Sequence, residues 1–367
     1  MKIILTLFPF LFAYYFYYIW IFINGLNKKY FHATSEQPFV SVIVAARNEE
    51  KNIHNLLTSL VNQDYPENSY EIIIANDQSK DSTAEIVRKF QKKFTNIKLV
   101  NVKVFEDTIS RKKNALSQAI NVSKGKIILT TDGDCIVKST WISGMVKYFG
   151  KNVGMVAGFS VPNIFNWKKT NFTQKYEFLD SLALFSAAAG SSGMNKIFSC
   201  SGQNLAYKKQ VYSELGGFEK IKNFISGDDI LLMHLIKNKD YQIRFAFGKD
   251  TFNLTKSEKS FKNFLNQRIR WASNAKPMFS QNREFSLYLV DVFLLNFLIL
   301  AMLFFQPIYS LGMLIIKGLV DFAVVKKGQI RFGIPKNRLY VFPIWELLQP
   351  IYILFVGICG RLNLFKW

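Results

Sequence analysis

The 367-residue chain has three cysteines and three histidines. Cys135, Cys200 and Cys359 stand far apart, so they make neither a disulfide framework nor a cysteine-rich zinc module. His32, His54 and His234 are equally scattered and argue against a histidine-based metal centre. Such sparse cysteine suits a reducing compartment. Acidic residues are scarce as well: 26 Asp and Glu against 47 Lys and Arg leave a net charge of +21. No G-x-G-x-x-G follows the first strand-like run, and G-x-x-x-x-G-K-[ST] occurs nowhere, so dinucleotide and P-loop readings lose their main support. No internal repeat or low-complexity tract is visible.

Apolar surface is plentiful. Hydrophobic residues make up 49% of the chain, which excludes a disordered polymer. A positive surplus suits nucleic acid or an anionic membrane face, and the placement of the apolar residues chooses between them. Ile3 to Asn27 contains no charge. At about 1.5 Å per residue this helix crosses a hydrocarbon core of about 30 Å. A cleaved signal peptide would have a shorter apolar run and a small-residue cleavage site, so the expectation is an uncleaved anchor. Lys28 and Lys29 follow it and only Lys2 precedes it, which places the bulk of the chain in the cytoplasm.

The other end is also membrane-like. Val292–Ile316 carries no charge and Leu339–Gly360 carries only Glu346. Leu287–Val325 reads either as a hairpin of two spans turning at Gln306-Pro307 or as one long span with an interfacial segment. The hairpin is preferred, because it returns the chain to the cytoplasm for the basic loop KKGQIRFGIPKNR, residues 326–338. The expectation is a multi-pass cell-membrane protein of three or four spans. Its positive charge faces lipid headgroups, not nucleic acid.

Between these ends the pattern is α/β. Apolar runs at 39–45, 70–75, 97–102 and 126–130 alternate with helical spacing at 52–62, 84–94 and 113–122. That order predicts a parallel sheet with ligands at the strand C-terminal ends. Asn76-Asp77 ends the second run, and Asp132-Gly133-Asp134 ends the fourth. Two carboxylates flanking a glycine suit a hard divalent cation that bridges phosphate oxygens; an ordinary Asp-Gly turn has the same sequence. Asp228-Asp229 precedes the helical run Ile230–Lys237 and, taken alone, reads as a helix cap that complements the macrodipole. Gln267-Arg268-Ile269-Arg270-Trp271 reads as a basic helix face, or as a diphosphate clamp beside a ring that stacks on a sugar. The segment 165–189 mixes aromatics with Lys168, Lys169 and Lys175. It suits an amphipathic helix on the membrane or a helix packed on the sheet.

Taken together and in order, these motifs resemble the membrane-bound, inverting family 2 glycosyltransferases, the group of cellulose, chitin, hyaluronan and poly-N-acetylglucosamine synthases and ceramide glucosyltransferases. The resemblance covers roughly Val40 to Trp271. It implies a GT-A fold, a Rossmann-like nucleotide-diphospho-sugar transferase domain, with N- and C-terminal transmembrane helices. It implies an anchor at 1–27, a cytoplasmic catalytic domain at 37–250, an interfacial segment carrying QRIRW at 251–285 and two or three spans at 286–367.

The same resemblance assigns roles. Ala45, Arg47 and Glu49 match the nucleotide-contacting loop, Asp77 the residue that hydrogen-bonds uracil, and Lys112 the lysine of G-K-x-x-A-L, with Arg111 in place of the usual glycine. Asp132 and Asp134 match the D-x-D motif that binds the donor diphosphate through Mg2+ or Mn2+. Gln203 and Asn204 fall in the segment lining the acceptor side. Asp228 and Asp229 match the acidic pair whose second member is the general base. Gln267, Arg268 and Arg270 match the diphosphate-binding positions of Q-(Q/R)-x-R-W, and Trp271 the ring that stacks on the acceptor. The implied partners are a nucleotide-sugar donor, a lipid-linked or saccharide acceptor and membrane lipids. A catalytically inactive scaffold that keeps the fold would be marked by a missing motif carboxylate, and none is missing.

Overall fold

The computed structural model describes residues 2–30, 36–105 and 110–366; His32 lies outside them. The chain divides into an α/β unit, Lys29–Asn163 with Ser199–Lys256, and a helical unit, Met1–Lys28 with Ile164–Phe198 and Ser257–Trp367.

Among the described residues, the α/β unit is built on ten strands. These are β1 (Val40–Ala46), β2 (Tyr70–Asn76), β3 (Ile97–Asn101), β4 (Ile127–Thr130), β5 (Ile136–Val137), β6 (Val153–Gly158), β7 (Ser160–Pro162), β8 (Leu205–Lys208), β9 (Gln242–Ala246) and β10 (Asn253–Thr255). Seven form one sheet in the order β3-β2-β1-β4-β8-β6-β9, and β5-β10-β7 form a second. β1, VSVIVAA, is apolar along almost its whole length because both faces of a central parallel strand are buried. Ile53, Leu56, Leu57 and Leu60 put one face of the helix Ile53–Val61 into the same core.

The four strands read from the sequence pair in parallel, as β3-β2-β1-β4, whereas β8 runs antiparallel to both β4 and β6. The reversal matters for the site. Thr130 pairs with Leu205, so the start of β8 lies beside the end of β4. Residues just before β8 therefore share an edge with the D-x-D turn.

In the helical unit, the helices Phe8–Leu26, Arg283–Phe305, Pro307–Arg331 and Lys336–Arg361 are each long and apolar enough to cross a membrane. The expected break at Gln306-Pro307 is present, with Pro307 opening the new helix, where its missing N–H is not needed. The expected basic loop begins later than the sequence suggested, because the helix continues through Lys326 and Lys327 to Arg331. The helix Phe172–Gly193 crosses the helix Lys2–Leu26 at Gly25 and Gly190. A Cβ on Gly25 would lie 1.7 Å from the Gly190 carbonyl oxygen, so only glycine permits this approach.

Candidate active site

Loops far apart in sequence meet beside the C-terminal ends of β1, β2 and β4. Ala45 lies near the end of β1, and the Arg47–Glu50 turn that follows is laced to the turn after β2. Asn48 N–H donates to Ser79 Oγ at 3.1 Å, Lys80 N–H to Asn48 Oδ1 at 2.9 Å, and Glu50 N–H to Asp81 Oδ2 at 3.1 Å. Asn48 has φ +56°, a left-handed conformation that asparagine tolerates well.

Asp77 emerges from this lacing buried and gripped. Arg111 donates from Nε to both carboxylate oxygens, at 3.1 and 3.0 Å, and from Nη2 to Oδ1 at 2.9 Å. The same Nη2 reaches Gln78 Oε1 at 2.8 Å, and Arg47 stands 3.7 Å from Asp77. Arg111, the residue in place of glycine, is thus a site component that the motif comparison passed over. Its departure from the motif was the available signal.

Lys112, the next residue, points elsewhere. Its ammonium lies 3.0 Å from Asp132 Oδ1 and 3.3 Å from Asp228 Oδ2, joining the D-x-D turn to the second acidic pair. Burial works against its charge, but Asp132, Asp228 and Asp229 hold its pKa well above the ordinary lysine value. Lys113 is buried and performs a different task. Its ammonium donates to the Phe224 carbonyl and, at 2.8 Å, to the Ser226 carbonyl. Ser110 Oγ donates to the Ile225 carbonyl at 2.8 Å. The start of the helix Arg111–Val122 therefore clasps the loop that presents Asp228 and Asp229. Desolvation lowers Lys113 to about 8.

Asp229 is both cap and candidate base. Its Oδ1 accepts from Ile230 N–H at 2.7 Å, capping the helix Ile230–Lys237, and its Oδ2 accepts from Gly202 N–H at 2.8 Å. Burial and then Asp228 raise its pKa, while Lys112 and the two backbone donors oppose the rise. Asp134 is raised to about 6, chiefly by desolvation, then by Asp132 and Glu49. Burial likewise raises Glu49, with Asp132 adding to the rise and Asn52, which donates to Glu49 Oε2 at 2.7 Å, opposing it. A Cβ on Gly133 would come within 2.8 Å of Glu49 Cγ, so glycine is what lets Glu49 lie against the D-x-D turn. Among the described residues no group of three or more His, Cys, Asp or Glu has the arrangement of a complete metal site. Asp132 and Asp134 would supply part of a coordination shell.

Two expected contacts are corrected. Asn204 is fully buried: Nδ2 donates to the Phe159 and Thr251 carbonyls at 3.0 and 2.8 Å, and Oδ1 accepts from Trp141 Nε1 at 2.9 Å. It holds the core together and does not face an acceptor; the half-buried Gln203 beside it bonds to Thr255 Oγ1 at 3.0 Å. In the helical unit, Gln267, Arg268, Arg270 and Trp271 lie on the helix Phe261–Ala272. Arg268 is buried and donates to Asp180 at 2.7 Å, so its charge is already compensated and it is not a free diphosphate ligand. Its guanidinium stacks 4.2 Å from the Trp271 ring centroid and also donates to Gln267 Oε1 at 2.7 Å. One face of the indole is taken, and Trp271 remains 38% exposed.

A mixed α/β sheet with acidic loops and a cationic clasp beside it is a GT-A, Rossmann-like fold. Residues 41–216 match the family model described as glycosyl transferase family 2. It is 28% identical over 217 residues to the glycosyltransferase AglE of Haloferax volcanii, spanning 58% of this chain and 66% of that protein. It is 26% identical over 259 residues to the poly-beta-1,6-N-acetyl-D-glucosamine synthase of Staphylococcus epidermidis, spanning 70% of this chain and 60% of that one. The chain spans less than two thirds of the length of either relative. The fold is shared with the mannosyltransferase PcManGT of Pyrobaculum calidifontis, solved with GDP-Man and Mn2+, at 21% identity and a TM-score of 0.63 over 98% of both chains.

Proposed function

We propose that this chain is a membrane-embedded, inverting glycosyltransferase. It moves a sugar from a nucleotide-diphosphate sugar to a lipid-linked or growing saccharide acceptor. The observation that carries the reading is Lys112 between Asp132 and Asp228, with Asp229 alongside. Donor-side and acceptor-side acidic motifs, far apart in sequence, meet around one cation.

Single displacement needs a base on the acceptor hydroxyl and positive charge on the leaving diphosphate. Asp229 suits the first role, because burial makes its carboxylate more basic while Gly202 and Ile230 fix its orientation. Asp132 and Asp134, whose carboxylates repel each other, would supply two ligands of a divalent cation's shell, with the donor diphosphate supplying others, and the cation would relieve that repulsion. When bound, Mg2+ or Mn2+ on Asp132 and Asp134 would supply charge neutralisation for the diphosphate. Lys112, held by Asp132 and Asp228, would supply a further positive charge beside the donor phosphates. Asp77, oriented by Arg111, is the base-reading position. Arg270 and the open face of Trp271 are assigned to diphosphate and acceptor sugar. The four apolar helices support multi-pass insertion, and the positive-inside rule puts Lys28, Lys29 and the basic stretch ending at Arg338 in the cytoplasm with the catalytic domain.

The deciding test uses membranes containing the full chain, a panel of radiolabelled nucleotide sugars, EDTA controls and sizing of the product. Metal-dependent incorporation from one donor is expected. Undiminished incorporation in EDTA would remove the metal from the scheme, and no incorporation from any donor would reject the transferase reading.

A further inference from the structure

We propose that Trp167, Lys175, Arg338 and Tyr340 form a binding site for the phosphate of an anionic phospholipid headgroup. The inference goes beyond the transfer reaction and rests only on the reading that the apolar helices enter a membrane.

Trp167 precedes the helix Phe172–Gly193, and its ring is 93% enclosed at 7% exposure. Phe178 and Tyr340 meet it edge-on, at 5.4 and 6.1 Å between centroids. Arg338 lies over the indole at 4.2 Å, and the Lys175 ammonium lies 5.8 Å from the same ring and 6.0 Å from Tyr340. Two cations thus gather on one aromatic ring. Arg338 Nη1 and Trp167 Nε1 are both buried and donate to nothing among the described residues. A buried donor without an acceptor is costly, and two such donors beside an ammonium form a donor-only site. The complementary ligand is rich in acceptor oxygens and negatively charged, which describes a phosphate.

The surroundings point to a lipid as its carrier. Arg338 and Tyr340 belong to the 3-10 turn Lys336–Val341, which leads directly into the apolar helix Phe342–Arg361. Phe165 is 89% exposed and Tyr340 58%, flanking the enclosed tryptophan with apolar surface on the outside. Aromatic rings and basic residues at the mouth of a spanning helix sit at headgroup depth.

The test is native mass spectrometry of the full chain released from nanodiscs of equal parts phosphatidylglycerol and phosphatidylcholine. It is paired with titration of the detergent-solubilised protein by short-chain phosphatidylglycerol. Wild type should retain phosphatidylglycerol preferentially. Arg338→Gln should weaken that binding about tenfold, the loss of one charge-assisted hydrogen bond, and Arg338→Lys should restore part of it. Trp167→Phe, which keeps a ring but removes the N–H, should weaken it several-fold and carries the test if Arg338→Gln fails to fold. Metal-dependent donor hydrolysis should be unchanged in all three, so failure here is distinct from failure of the transferase reading. Equal retention of the two lipids by wild type, undiminished binding in the folded variants, or displacement by inorganic phosphate at the lipid's own affinity would each overturn the proposal. The last outcome would mark a free-anion site.

Discussion

Two lysines in this chain are each held between two carboxylates, with opposite consequences. Lys112 lies 3.0 and 3.3 Å from Asp132 and Asp228 and is 40% exposed. Lys317 lies 2.7 and 2.8 Å from Asp321 and Glu346 and is 1% exposed. The partners of Lys317 sit on regular helices, one of them a turn away, and Tyr15 adds a hydrogen bond to Asp321. The partners of Lys112 sit on loops, Asp132 just after β4 and Asp228 just before the helix Ile230–Lys237, beside further acids that remain under-compensated. A sealed triad fastens helices. An open one has carboxylates it can give up to a ligand, so geometry and not residue type separates structure from chemistry here.

The sharpest test of the open site is Asp229→Asn. Loss of a general base lowers turnover by about 10²–10⁴. Donor affinity, measured by nucleotide titration on the same preparation, should be unchanged, because the base acts on the acceptor. Parallel loss of donor affinity would make Asp229 a structural cap, which its bond to Ile230 N–H already permits.

Substituting the two lysines breaks the comparison directly. Lys317→Met leaves two buried carboxylates uncompensated and should cost about 3–5 kcal/mol, read as lost folded yield and earlier thermal unfolding in detergent. Lys112→Met should change stability by no more than about 1 kcal/mol, because its pairs are solvent-screened, yet it should weaken donor binding. Equal destabilisation by both would show that exposure does not distinguish them.

A smaller effect concerns pH in metal-free protein. Asp134 has a folded pKa of about 6 against an ordinary 3.8, so its ionised form is disfavoured by folding. The associated stability is fully present below the ordinary value and is lost as pH rises through about 6. In EDTA, Asp134→Asn should therefore gain about 1–2 kcal/mol over wild type at neutral pH and little at pH near 4, while transfer is abolished. Unfolding curves at the two pH values measure the difference; a variant no more stable at neutral pH would mean the carboxylate is solvated.

Much of this was legible in the sequence, and the rest failed for definable reasons. β1, β2 and β4 announced themselves as apolar runs, and the helix Ile230–Lys237 was bounded by its acidic cap. β8 was not seen, because LAYK is four residues long and its antiparallel insertion depends on partners elsewhere in the chain. Asn204 and Arg268 were read as ligands because their motif positions allowed it. Their buried partners, Trp141 and Asp180, lie 63 and 88 residues away and carry no local signal.

Arg111 offers the last test, because it is where the chain leaves the motif. A glycine there would leave Asp77 free to rotate, whereas the guanidinium holds both of its oxygens and also engages Gln78. If Asp77 reads the donor base, Arg111 is a positioning residue that fixes the acceptor edge in advance. Arg111→Ala should then raise the donor KM about tenfold, the value of one charge-assisted contact, with kcat nearly unchanged because no reacting atom is touched. Arg111→Lys should recover little, since an ammonium cannot grip both oxygens in the fork geometry of arginine. Unequal losses with uridine and guanosine donors would show that the pair sets base preference as well as affinity. A fall in kcat at constant KM would place Arg111 with the chemistry instead. An unchanged enzyme would mean that Asp77 needs no partner to keep its place at the end of β2.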